Sequence, residues 1–323
     1  MRHSLLMSFL VLSACSGEAS WTLADAPAGG PEGGAGGGAA ASTRLSTFQG
    51  LSDGLPADAA PQALAQLDGK LYLSTAAGVF SLPSTGRTWA AEALPLRSGE
   101  QVTSLARVDL SICVTTTQGL WVRAYTDEAF TLVASAPAGA FGLAKKAGEL
   151  FLATSSGLHV STDKGATWKR RFSGAPFTTT SGQFVAAAAQ ARLFVVDAAG
   201  KVWSSDDDGA TWETGVITGT VKTLSAGGPV VLAMTATQTL RSDNYGNTFH
   251  PVSTDWSPLA VAVTPSWAFA GTMNGVRVSD DGGATWRDGS AGLPASSEVR
   301  ALFTAGNALL AHAKGTIYLA SVE

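Results

Sequence analysis

An eight-residue pattern that returns at nearly constant spacing constrains this chain more than any bulk property does. Ser161-Thr162-Asp163-Lys164-Gly165-Ala166-Thr167-Trp168 recurs as Ser205-Asp206-Asp207-Asp208-Gly209-Ala210-Thr211-Trp212 and as Ser279-Asp280-Asp281-Gly282-Gly283-Ala284-Thr285-Trp286. A further copy, Ser242-Asp243-Asn244-Tyr245-Gly246-Asn247-Thr248-Phe249, carries Asn244 for the aspartate and Phe249 for the tryptophan. Gly86-Arg87-Thr88-Trp89 keeps the second half, and Phe130 closes a copy that is nearly erased. The closing aromatics at 89, 130, 168, 212, 249 and 286 advance by 41, 38, 44, 37 and 37 residues. At such a period each repeat is one supersecondary unit, which buries its apolar face only against its neighbours.

The pattern reads as a hairpin turn. An aspartate accepts hydrogen bonds from the turn's own amides, and a glycine supplies a backbone conformation closed to other residues. Ahead of each turn stand two alternating runs, such as Glu149–Thr154 and Gly157–Ser161, which read as strands B and C of a four-stranded blade. The motif then joins C to D. Strand C is expected to start at Gly78, Gly119, Gly157, Gly200, Thr239, Gly275 and Gly315, so seven blades are counted. The seventh lacks a strand D of its own. Thr47-Phe48-Gln49-Gly50, placed before any blade and similar in context to Thr285-Trp286-Arg287-Asp288, is expected to complete it. Closure of this kind leaves only short, protected sheet edges.

Ser-x-Asp-x-Gly-x-Thr-Trp resembles the Asp-box, or BNR, repeat of β-propellers, found in sialidases, sortilin-type receptors, xyloglucan-cleaving enzymes and a photosystem II assembly factor. The resemblance covers about residues 45–323 and implies an all-β, seven-bladed propeller. It also implies that the boxes are scaffold and that any active site lies on the opposite face.

The N-terminus reads as an address. Arg2 precedes the apolar run Leu5–Leu12, too short for a permanent membrane span of about 20 residues. Leu12-Ser13-Ala14-Cys15 resembles the lipobox of bacterial lipoproteins, in which the signal is cut before a cysteine that becomes lipidated. The expected organisation is a signal peptide at 1–14, lipidated Cys15 with a glycine-rich tether to residue 44, and the propeller at 45–323. Ser16 after the cysteine points, by that family's sorting habit, to the outer membrane of a bacterial envelope. Cys113, in an apolar run, then has no partner for a disulfide.

Composition agrees. Of 323 residues 45% are hydrophobic and only 14% charged, ample for a core and unlike a disordered chain. The net charge of −4 argues against nucleic-acid binding, which calls for a basic stripe.

Chemistry is harder to find. Asp206-Asp207-Asp208-Gly209 fails as a calcium loop, because position twelve holds Gly215 instead of glutamate. The four histidines show no metal spacing, and no cofactor is expected. The sialidase Phe/Tyr-Arg-Ile-Pro signature is absent and none of the four tyrosines is placed as a nucleophile. Asp58, Glu100, Asp197, Asp255 and Glu298 fall in loops of the face away from the boxes, but no pair of them stands out as a glycosidase would require. On that face Asp197, Asn274, His312, Lys314, Trp256 and Phe177 are the candidate ligand residues. The reading is a monomeric, non-catalytic module that binds a protein or glycan, with glycoside hydrolysis by loop carboxylates as the alternative.

Overall fold

The computed structural model describes residues 45–57, 59–146, 148–177, 183–186, 192–235, 237–252 and 255–322. The expected signal peptide, Cys15 and the tether lie outside the described residues.

The described residues form seven four-stranded antiparallel sheets and no helix, a seven-bladed β-propeller. In blade 1 the strands are A (Pro61–Leu67), B (Lys70–Thr75), C (Gly78–Pro83) and D (Ala90–Ala91). Strand A of the next six blades starts at Val102, Ala140, Gln183, Val221, Pro258 and Val299. Strand B is buried on both faces, so it reads as an unbroken apolar run (Val230–Thr235 in blade 5) where a one-sided strand would alternate. The core is the set of seams between blades. Leu71 and Leu73 of blade 1, for example, pack against Leu310 and Leu319 of blade 7.

Blade 7 takes its outer strand from the other end of the chain. Gln49 pairs with Leu319 and Gly50 with Tyr318, and a further bridge joins Leu45 to Val322. Phe48 beside this strand is 2% exposed, in the cluster between blades 6 and 7.

Two strand boundaries differ from the expected ones. Strand C begins at Val202 in blade 4 and at Thr316 in blade 7, one or two residues after the glycines. Gly200 and Gly315 have φ of 77° and 75° and belong to the preceding turns, whereas Gly78, Gly119, Gly157 and Gly275, with φ from 119° to 156°, open the strand itself. Blades 4 and 7 are also the two whose B–C turn has no threonine of the kind described below.

Candidate functional site

The two ends of the propeller are built differently. At one end the C–D turns sit on the A–B turns of the same blade, as shown by Tyr245 N donating to Pro229 O (2.9 Å) and Tyr125 N to Leu110 O (2.7 Å). At the other, the D–A connections meet the B–C turns, as where Val221 N donates to Gly200 O (2.7 Å).

Each complete C–D turn repeats one hydrogen-bond set. Ser279 Oγ donates to Asp281 Oδ1 (2.7 Å) and accepts from Gly283 N (2.6 Å), while Asp281 accepts from Thr285 N (2.9 Å) and Thr285 Oγ1 (2.6 Å). Ser161-Asp163-Gly165-Thr167 and Ser205-Asp207-Gly209-Thr211 do the same. In Ser242-Asn244-Gly246-Thr248 the last bond is reversed, Asn244 Nδ2 donating to Thr248 Oγ1 (2.9 Å). The aspartates are correspondingly strong acids. Thr167 and Ser161 hold Asp163 down to about 2. Partial burial alone would raise Asp281, but Thr285, Ser279 and Ala284 N bring it to about 2. The glycine is required for φ (80° at Gly209, 82° at Gly246) and again for space. A Cβ at Gly209 would lie 2.1 Å from Leu158 of the blade before, and one at Gly246 2.3 Å from Phe194. Arginines of the preceding blade close the joint: Arg171 donates to Asp208 O, Arg192 to Gly246 O and Arg241 to Gly282 O. The serine, the aspartate or asparagine, and the threonine of each complete turn are thus bonded within the turn itself.

Hydroxyls dominate the opposite end for a structural reason. Thr75, Thr116, Thr154, Thr235 and Thr272 each end strand B, bond the carbonyl three residues on and accept the amide two residues on. In blade 4 Asp197 takes over, accepting from Ala199 N (2.9 Å), Lys201 N (3.0 Å) and Trp203 Nε1 (3.0 Å). Glu100 is buried and also fully used, by Arg97, Thr116 Oγ1 (2.5 Å) and Trp121 Nε1 (2.9 Å). Burial would raise its carboxyl, but these donors, Arg97 first, hold it at about 2. Glu298 pairs with Arg300 (2.5 Å), Asp255 is exposed, and Asp58 lies outside the described residues. Asp197 and Glu298 stand on blades 4 and 7, the first engaged by three donors and the second paired with Arg300.

The two candidate aromatics turn inward. Phe177 is 2% exposed, between Phe141, Phe172 and Trp212. It meets Trp212 edge to face, with centroids 5.2 Å apart and planes at 79°; Trp256, half-buried, meets Trp286 in the same way at 5.4 Å and 79°. The relation repeats: the connection entering a blade lends an apolar side chain to the cluster holding the aromatic at the end of that blade's C–D turn. Leu51 serves Trp89, Leu94 and Leu96 serve Phe130, and Ile217 serves Phe249. Phe177 is therefore a seam residue and presents no ring to a ligand.

Of the remaining candidates, Lys314 Nζ donates to Ala295 O (3.0 Å). His312 is half-buried, its pKa lowered by burial, and its Nε2 has no partner among the described residues. Asn274 is exposed beside Met273, which is 54% exposed. Tyr72 illustrates how a catalytic-looking set becomes structural. Arg123 bonds both the Tyr72 hydroxyl (2.5 Å) and Glu92 (2.5 Å), yet the tyrosine is 4% exposed between blades 1 and 2, its pKa raised by burial. No group of three or more metal-ligating side chains occurs among the described residues.

One feature of this end has no counterpart in the sequence reading. In six blades strand A carries one extra residue against strand B, at Gln62, Thr103, Phe141, Lys222, Leu259 and Arg300. A bulge bends the strand and re-aims a side chain. Lys222, Leu259 and Arg300 line a central cavity of about 380 Å³ together with Gln183, Thr223, Ser225, Phe303 and Thr304. Gln183 and Ser225 cap strand edges there, accepting from Leu224 N (2.8 Å) and Val263 N (3.0 Å).

The fold places the chain among seven-bladed propellers, and solved structures share it. It is similar to YCF48 bound to D1 peptide (16% identity, TM-score 0.66, covering 86% of this chain and 97% of that one). It is also similar to YCF48 from Cyanidioschyzon merolae (13%, TM-score 0.67, 84% and 98%). A third is the extracellular domain of the putative one component system BT4673 from B. thetaiotaomicron (13%, TM-score 0.63), where the match covers 84% of this chain but 39% of that one. No family model matches the chain, and no curated protein matches it.

Proposed function

We propose that this chain is a non-catalytic protein-binding module that engages its partner through the end of the ring bearing the B–C turns and the central cavity. The observation that carries this reading is the employment of the carboxylates: Asp197 and Glu100 spend their oxygens on turns and indole groups, and neither has an oxygen left for acid–base work. A protein is favoured over a glycan because Phe177 and Trp256, the rings that could have stacked on a sugar, pack between blades. Partner binding by a propeller of this shape has a parallel in YCF48 bound to D1 peptide. The repeated turns are Asp-boxes on this reading, and a signal peptide followed by lipidated Cys15 and the tether holds the ring at a bacterial envelope. Extracellular propellers such as that of BT4673 are consistent with such a location.

A photocrosslinking amino acid at Met273 or Asn274 tests the binding face, with the same group at Asp163 as the control on the other end. Crosslinks from the first two positions and not the third are expected. An empty capture, or equal capture from both ends, overturns the reading. Palmitate incorporation tests the anchor: labelling is expected in the parent and absent in Cys15→Ser, and an unlabelled parent removes that part of the proposal.

A further inference from the structure

We propose that the central cavity is a carboxylate-binding subsite for an extended peptide segment, with Lys222 and Arg300 as its cationic contacts. This rests on the protein-binding reading above. The bulges at residues 222 and 300 release both side chains from facing a neighbouring blade, and both are exposed while lining the same cavity. Among the described residues no carboxylate lines that cavity. Lys222 has no ion-pair partner among the described residues, and Arg300 has Glu298 (2.5 Å), in a pair whose arginine side chain is 70% exposed. Exposed pairs of this kind are weak, so an incoming carboxylate can compete for the guanidinium.

The walls favour a peptide as the bearer of that charge. Strand A is the inner edge of each sheet, so blades 5, 6 and 7 turn sheet edges toward the channel. Gln183 and Ser225 already take Leu224 N and Val263 N on two of them, and the remaining edge groups are what an extended backbone pairs with. Leu259 and Phe303 add apolar contact, and Thr223 and Thr304 add hydroxyls. The cavity volume falls within the roughly 300–1,000 Å³ of ordinary ligand clefts. The carboxylate can be an acidic side chain or a chain terminus, since the two present the same group.

The test uses the full chain and fluorescein-labelled hexapeptides read by anisotropy: an alanine peptide ending in two glutamates, its glutamine counterpart, and each of these with an amidated C-terminus. The doubly acidic form is expected to bind about tenfold more tightly than the neutral one, less so as salt is raised. Lys222→Gln and Arg300→Gln are each expected to weaken it several-fold. Glu298→Gln, which frees Arg300, is expected to tighten it, a gain that misfolding cannot produce. Loss on amidation alone identifies a chain terminus, and loss in the glutamine peptide alone an acidic side chain. Equal affinity for acidic and neutral peptides, no binding of either, or full binding by both cation variants overturns the subsite. If crosslinking from Met273 then persists in the parent, the binding-module reading stands without it; if that crosslinking is also absent, the reading falls as well.

Discussion

Asp281 and Asn244 occupy equivalent turns with one bond reversed, and that pair shows what the position requires. Both accept from a backbone amide four residues on; only the aspartate also accepts from the threonine hydroxyl. Asp281→Asn is therefore expected to cost little in chemical denaturation, whereas Asp281→Ala, which strands the Thr285 and Ala284 amides, is expected to cost about 1 kcal/mol, as at a helix cap. The acidity of these turns carries a signed pH dependence. With folded values near 2 for Asp163 and Asp281 against about 3.9 in an unfolded chain, their contribution is complete above about pH 4 and is lost as pH falls through 2. An Asp163→Asn, Asp281→Asn double variant should show a shallower stability loss across that window. Glu100 behaves alike but is buried, so Glu100→Gln is expected to cost about 2 kcal/mol through weakened bonds from Arg97, Thr116 and Trp121.

At the level of elements, the edge-to-face pairs between blades set the largest expected losses. Phe177→Ala should cost about 3–5 kcal/mol by urea denaturation, because it empties a fully enclosed site. A loss below about 1 kcal/mol would show that the seam is looser than its geometry. The same elements separate what the sequence makes legible from what it does not. A C–D turn writes itself into eight consecutive residues, so blade number and strand order follow from Ser161, Asp207 and Thr285 and their equivalents. Strand A has no such signature. Val221–Gly227 and Pro258–Val263 share no motif, and their bulges arise from register against strand B, a non-local property. That is why the sequence does not mark Lys222 and Arg300, while Asp197 is conspicuous in a loop. Local sequence marks a loop acid; it does not report that three donors have already claimed it.

On the scale of the whole molecule, no disulfide contributes to stability among the described residues, since Cys113 is a buried free thiol whose pKa burial pushes up to about 12. In a Cys15→Ser chain, Cys113 should resist thiol reagents at neutral pH until the ring opens, and its labelling rate should track global unfolding. Removal of residues 45–56 should cause aggregation by baring the edge of blade 7, and a monomeric, equally stable product would refute the closure. The closure also sets an order of events. Leu45 and Val322 are near-opposite ends of the described chain, so six blades can assemble from local contacts while the strand that leaves the ribosome first waits for a partner made last. Until that partner arrives, Phe48 and Leu51 have no seam to enter. The earliest part of the ring to be synthesised is thus the longest exposed to chaperones and proteases, and its burial is the act that completes the fold.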